Sequence, residues 1–249
     1  MSSGRFPGKP LKEIEGISMI GHCYLRTNLC KSLTKVVVAT PDEVIAEEIR
    51  GYGGEVVLTP EFDMGNDRIA WAYDKIAGQD GDYDLVINMH GDQPLVHPSM
   101  LDQILESHRQ GPQYESYTLA ERITDIDEFH DRNRVKVLFR DKDGVLIYMS
   151  RAPIPCPKKE GVLPDKAYKH TAIMAFSPAF LQAFLDFGMT YNEEVEGIDY
   201  NRVVEMGGEM KILVTDIPSD TVDTQEDLDR VRGEMKSDPL WTSGTYSVR

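Results

Sequence analysis

Three short segments carry the residues best suited to chemistry. Near the start, Arg5-Phe6-Pro7-Gly8-Lys9-Pro10 places two cations four residues apart in a loop punctuated by Gly and Pro. Gly permits close backbone approach to an anion, and Arg and Lys supply charge. This is not a phosphate-binding P-loop: the Gly4 to Gly8 spacing is one residue short, and Pro10 stands where Ser or Thr must bind magnesium. The competing structural reading is a Ser/Gly-rich terminus without fixed structure. His90-Gly91-Asp92-Gln93-Pro94 directly follows an apolar run. Gly91 lets the chain turn, and a carboxylate at Asp92 suits a hard cation carrying a nucleotide phosphate. A turn Asp bonded to its own backbone is the alternative. In Val222-Asp223-Thr224-Gln225-Glu226-Asp227, Asp223 or Thr224 reads first as a helix N-cap, with Glu226 or Asp227 reaching back.

Spacing alone does not pair Asp92 with Asp223, because the chain holds 42 acidic residues. The six histidines show no metal spacing. His22 lies in a helical stretch, packed or exposed. His170 opens a strand, as a ligand contact or a satisfied core histidine. Neither a nucleophile elbow nor a Cys–His pair is present.

The elements that must position these residues alternate. Lys35–Thr40 reads as a buried strand, Asp42–Arg50 as a helix stopped by glycines, and Glu55–Thr59 as a second strand. A helix over Asn66–Ala77, a buried strand over Asp84–Met89 and a helix from Pro98 to about Gln110 follow. This alternation predicts a mainly parallel sheet covered on both faces, with ligands at the carboxyl ends of its strands. The loops after Thr40, Thr59 and Met89 are the places to search. After Gly111 the pattern changes. Val135–Phe139 and Val145–Met149 flank an Asp-Gly turn and predict a hairpin. Residues 152–168 hold four prolines and predict a loop. Lys169–Phe176 reads as a strand, Pro178–Phe187 and Val195–Met206 as helices, Met210–Thr215 as a strand and Thr224–Lys236 as a closing helix. The tail after Asp238 has no clear pattern. With no compositional break to mark a linker, the expected organisation is one domain over 1–249, with a hairpin subdomain at about 133–177.

The 249 residues carry 27 Lys+Arg against 42 Asp+Glu, a formal charge of −15. That surplus argues against a nucleic-acid binder, which needs basic surface to displace counterions. No apolar run approaches a membrane span of about 20 residues, and no signal-peptide core opens the chain. Cys23, Cys30 and Cys156 lack disulfide or zinc spacing and read as reduced thiols of a cytoplasmic protein.

Taken in order, the motifs resemble the CMP-Kdo synthetase family, the 3-deoxy-manno-octulosonate cytidylyltransferases. The resemblance rests on RFPGKPL, VVVATPDEVIAEEIRGYGGEVVLT, MGNDRIA, INMHGDQPL, NRVKVLFRDKDGVLIYMSRAPIP, YKHTAIMAFSPAFLQAF and TVDTQEDLDRV, from Arg5 to about Met235. It implies a Rossmann-like nucleotidyltransferase fold with an inserted antiparallel hairpin. It implies transfer of CMP from CTP to a 2-keto-3-deoxy sugar acid, with release of pyrophosphate. Arg5 and Lys9 would bind the triphosphate, and Asp92 and Asp223 would hold Mg2+. Thr40, Asn66, Asp67 and Arg68 would lie on the nucleotide. His90, Arg151, His170 and Tyr200, on a helix from Gly197 to Gly207, would lie on the sugar. A homodimer through the hairpin region is also implied, with no nucleic-acid or membrane partner.

Several positions depart from the pattern. His90 replaces a usual Gln, Pro41 a usual Asp and Asn66 a usual Thr. Ile198-Asp199-Tyr200-Asn201-Arg202 replaces Leu-Glu-Gln-Leu-Arg. A hydrogen-bonding pocket discriminates strongly when its partners change, so the acid need not be Kdo. The family's first, central strand has no counterpart before Arg5. The expectation is an internal Met1, a start further upstream, and a groove beside the Lys35–Thr40 strand. A non-catalytic nucleotide- or sugar-binding protein on the same scaffold is the alternative function.

Overall fold

A computed structural model of the chain describes residues 6–62 and 64–247. They gather into two compact units. One draws on the described residues of Met1–Gly81, Met89–Asp102 and Ser219–Arg249, the other on Asp82–Asn88 and Gln103–Pro218.

The first unit opens with a 3-10 turn, Lys9–Leu11, which Gly8 enters at φ 70°. That left-handed conformation is cheap only for glycine. A small antiparallel pair follows, β1 (Glu13–Ile14) and β2 (Ile17–Ser18). Ser18 caps α1 (Met19–Thr27), its hydroxyl accepting the Gly21 N–H at 3.1 Å. The strand β3 (Val37–Thr40), helix α2 (Glu43–Gly51) and strand β4 (Glu55–Leu58) form a parallel crossover. Asp42 caps α2 and Ile45, Ala46 and Ile49 bury its apolar face. Helix α3 (Gly65–Asp80) packs against both strands.

The second unit is built on one sheet. The chain runs through β5 (Val86–Met89), α4 (Pro98–Gln110), β6 (Ser116–Arg122), α5 (Ile126–His130), β7 (Lys136–Phe139), β8 (Leu146–Ser150) and β9 (Tyr168–Phe176). It continues through α6 (Pro178–Phe187), α7 (Tyr191–Glu196), α8 (Asn201–Glu205) and β10 (Met210–Thr215). The sheet order is β10-β6-β9-β7-β8, with β5 also pairing β9. It is mixed rather than mainly parallel: β10 and β6 run parallel, whereas β6/β9, β7/β8 and β7/β9 are antiparallel. Short hairpin connections impose antiparallel pairing, and β7–β8 is the hairpin expected from the Asp-Gly turn. The first unit is completed by α9 (Gln225–Met235) and α10 (Pro239–Thr242). Its core joins Ile14 and Met19 to Val222, Leu228, Val231 and Met235.

Three further sequence expectations change. Strand β6 has no counterpart in the pattern reading, because Ser116, Thr118 and Glu121 break its apolar run. Ser116 and Thr118 are nonetheless fully buried, and the Thr118 hydroxyl donates to the Ile173 carbonyl at 2.6 Å. Burying a hydroxyl is tolerated once it is so paired. The helix expected over Val195–Met206 is two helices. Gly197, at φ 62°, ends α7, and α8 starts at Asn201. The strands read as buried are half-exposed over Val37–Ala39 and at Val86, Ile87 and Met89. Among the described residues β3 pairs with β4 alone.

Candidate active site

Lys9, Asp92 and Asp223 meet in the first unit. The Lys9 ammonium donates to Asp92 Oδ2 at 2.8 Å and to Asp223 Oδ1 at 3.2 Å. The Lys9 side chain is only 11 % exposed, so this pairing satisfies a charge that burial would otherwise penalise. Each residue is delivered by local structure. The 3-10 turn holds Lys9. Asp92 lies in the turn after β5, where a Cβ on Gly91 would come 2.6 Å from Ile20 Cδ1. That contact is with the far end of a flexible side chain, so a Cβ there would ask Ile20 to shift. Asp223 precedes α9, and the Val222 N–H donates to the Asp92 carbonyl at 3.0 Å, tying the two acidic segments together.

The cap of α9 resolves the ambiguity at Asp223. Thr224 is the N-cap, and Thr224 with Asp227 completes a capping box. The Asp227 carboxylate also accepts the Asp223 N–H at 3.0 Å. Asp223 is therefore not the cap, and its side chain points to Lys9. Burial raises the Asp227 carboxyl's affinity for a proton, but those amide bonds overcome it and hold its pKa below the usual value.

Asp92 and Asp223 fit a magnesium ion. Asp92 Oδ1 is buried and has no hydrogen-bond partner among the described residues. A carboxylate oxygen left so is costly unless a cation or donor satisfies it. No group of three or more His, Cys, Asp or Glu with metal-ligand geometry exists among the described residues. Magnesium takes one or two carboxylates and completes its shell with phosphates and water.

The other expected nucleotide residues belong to the same unit, except that Arg5 lies outside the described residues. Thr40 is buried at the end of β3, its hydroxyl accepting the Asp42 N–H at 3.1 Å. Asn66 is buried in the first turn of α3, with Asp67 and Arg68 beside it. Arg68 Nη2 donates to the Phe62 carbonyl at 3.4 Å, and its buried Nε has no partner among the described residues. His90 is half-buried in the turn after β5.

The remaining sugar-side residues belong to the second unit. Arg151 donates from Nε to the Glu196 carbonyl at 2.6 Å and from Nη1 to the Arg132 carbonyl at 3.1 Å. The Glu196 carboxylate instead accepts the Ser150 hydroxyl at 2.6 Å and the Arg151 main-chain N–H at 3.1 Å. The His170 and Tyr200 rings lie 4.5 Å apart, and His170 Nε2 accepts the Ala172 N–H at 3.0 Å. Asn201 bonds both the N–H and the carbonyl of Met149, each at 2.9 Å, which anchors the turn carrying Tyr200 to β8. Sequence reasoning missed Glu196 and Asn201, whose roles depend on partners about 50 residues away and leave no local spacing signal.

The fold and this acidic–basic site define a nucleotidyltransferase. A family model described as cytidylyltransferase matches residues 1–214. The chain belongs to the cytidylyltransferase family. It is 38 % identical to an 8-amino-3,8-dideoxy-manno-octulosonate cytidylyltransferase of Shewanella oneidensis, over 95 % of each chain. A protein of the same description from Shewanella baltica is 37 % identical over the same share. A solved CMP:2-keto-3-deoxy-manno-octonic acid synthetase complexed with CTP superposes with a TM-score of 0.86 at 28 % identity, covering 94 % of each chain. A 4-diphosphocytidyl-2C-methyl-D-erythritol synthase from Anaerococcus prevotii, 13 % identical with a TM-score of 0.61, shares the fold.

The Lys9 cluster has a defined pH signature. Burial opposes the Lys9 charge, yet Asp92 and then Asp223 hold its pKa above the ordinary value of 10.5. A raised pKa means that the folded state holds this proton more tightly than the unfolded one. The stabilisation is complete below 10.5 and is lost as pH rises through the folded-state value. Urea unfolding of wild type and Lys9→Met should therefore show a stability difference that is constant near neutrality and shrinks above 10.5.

Proposed function

We propose that the protein transfers CMP from CTP to a 3-deoxy-octulosonate-type sugar acid, with 8-amino-3,8-dideoxy-manno-octulosonate the favoured acid. The observation that carries the reaction class is the convergence of Asp92, Asp223 and Lys9, with one Asp92 oxygen buried and unsatisfied. The choice of acid is supported by the 38 % identical relatives and by the departures at His90 and Asp199–Tyr200. An amine in place of a hydroxyl is a change that a hydrogen-bonding pocket reads strongly.

In the reaction, the sugar's anomeric oxygen forms a bond to the α-phosphorus of CTP as the bond to pyrophosphate breaks. The hydroxyl proton passes to solvent. Asp92 and Asp223 would hold the magnesium; when bound, it would neutralise phosphate charge and acidify the attacking hydroxyl. Lys9 would donate to the triphosphate from the same place, and Arg151 would anchor the acid's carboxylate. The Arg151 guanidinium donates to two main-chain carbonyls rather than to a carboxylate. Its charge is therefore held in a fixed plane for an external anion. Positioning and charge neutralisation suffice for such a displacement, and no protein nucleophile is needed.

The protein would act as a homodimer in a reducing compartment such as the cytoplasm. Ile147 on the hairpin and Phe187, Met189, Tyr191 and Val195 are exposed apolar side chains, all in the second unit. Cys23, Cys30 and Cys156 are free thiols. Among the described residues no helix is long and apolar enough to cross a membrane.

Pyrophosphate release with CTP should be fastest with the 8-amino acid among a panel that includes Kdo and a nonulosonate. No release with any of them from folded protein refutes the transferase reading; a preference for Kdo refutes the choice of acid. Asp92→Asn and Asp223→Asn should each raise the barrier to turnover by about 3–4 kcal/mol. Because Thr224 caps α9, Asp223→Asn should leave the melting temperature nearly unchanged. In light scattering, Ile147→Glu with Tyr191→Glu should shift the mass from that of two chains to that of one, and an unchanged mass rules out this interface.

A further inference from the structure

Arg26 is a buried cation that the proposed chemistry does not use. It is 1 % exposed, and its five N–H donors all find acceptors. Nε donates to the Val96 carbonyl at 2.6 Å and Nη2 to the Leu95 carbonyl at 3.2 Å. Nη1 and Nη2 grip the Asp238 carboxylate at 2.8 and 3.1 Å, and Nη1 also reaches the Tyr246 hydroxyl at 3.3 Å. That hydroxyl in turn bonds His22 Nδ1 at 2.9 Å, and His22 Nε2 bonds the Ile14 carbonyl at 2.7 Å. Trp241 and Tyr246 set their rings against His22 at centroid distances of 5.5 and 5.7 Å.

The two carbonyls held by Arg26 lie three and four residues beyond Asp92 in one short loop. The other side of that loop is tied to the segment before α9, through the Val222 N–H on the Asp92 carbonyl and Gln93 Nε2 on Ser219 Oγ at 2.8 Å. Asp92 is therefore carried on a loop clamped at both ends. One clamp is a rigid planar guanidinium whose orientation is set by Asp238 and Tyr246. A planar fork saturated by five acceptors has a single orientation, unlike a lysine in the same place.

We propose that Arg26 is a positioning residue for the metal carboxylate Asp92, and that Asp238–Tyr246 is a strap that sets Arg26 and so tunes the affinity of the magnesium site. The inference rests on the magnesium reading of Asp92. Outer partners that orient a metal ligand typically change metal affinity by 10–100-fold when lost. The segment after Asp238, without pattern in the sequence, thereby acquires a role at the catalytic centre.

The test is Mn2+ binding to the full chain in saturating CTP, read by electron paramagnetic resonance and corrected for CTP alone. Steady-state constants are measured alongside. Arg26→Lys keeps the charge and loses the fork; it should weaken Mn2+ by about tenfold, while the KM for the sugar acid stays near wild type. Tyr246→Phe removes one of five bonds and should weaken Mn2+ less than Arg26→Lys does. If Arg26→Lys does not fold, Tyr246→Phe and Asp238→Asn carry the test, and each should weaken Mn2+. A lower melting temperature with unchanged Mn2+ affinity in these variants makes Arg26 merely structural and overturns the proposal. Asp92→Asn separates the two layers. Loss of Mn2+ there with unchanged affinity in the Arg26 and strap variants overturns the positioning role alone. Wild-type affinity in Asp92→Asn overturns the magnesium reading and the inference with it.

Discussion

One ammonium held between two carboxylates organises the first unit. Asp92 and Asp223 bring like charges together, which is unfavourable unless a cation lies between them. Lys9 supplies it from 83 residues away on one side and 214 on the other. The turn that holds Lys9, the loop after β5 and the segment before α9 must therefore close on a common point. The main-chain bond from Val222 to Asp92 and the core joining Ile14 and Met19 to Leu228 and Val231 hold that closure.

The net charge makes this local organisation necessary. A chain at −15 repels a nucleotide triphosphate at long range. Affinity must then come from cations fixed at short range, where the effective dielectric constant is lower. Lys9 is fixed by its partners, and the Arg151 guanidinium is fixed by carbonyls rather than neutralised by a carboxylate.

Paired buried polar groups do much of the positioning in both units. Arg202 donates from Nε to Glu193 Oε2 at 2.8 Å and from Nη1 to the Phe184 carbonyl at 3.1 Å, pinning α8 to the end of α6. Removing one member of such a pair leaves an uncompensated buried charge, far costlier than losing a surface pair. Lys136 is fully buried and donates to the Asp131 and Arg134 carbonyls, closing the turn before β7. Burial lowers its pKa below that of an ordinary lysine. In the first unit, burial lowers the His22 pKa, although the Ile14 carbonyl favours the proton. Burial likewise opposes the Asp238 charge, but Arg26 prevails and holds that carboxyl below its usual range.

The sequence by itself determined the elements whose signals are local. Helices over 98–110 and 178–187 and the strand over 210–215 match the observed bounds, because proline starts, apolar periodicity and β-branched runs act within a few residues. The order of motifs also identified the reaction class. Tertiary structure decided the rest. Strand β6 is invisible in the pattern because Ser116 and Thr118 are buried with their polar groups paired or packed by β9, β10 and their flanks. The break at Gly197 arises where its left-handed conformation ends α7 and Asn201 bonds to β8. At Asp223, the sequence offered two capping residues, and only the folded chain shows Thr224 on the helix and Asp223 on Lys9. Arg26 carries no motif at all, since its acceptors lie 69 to 220 residues away. Local propensity writes elements into sequence, whereas long-range polar pairing is fixed only once those elements pack.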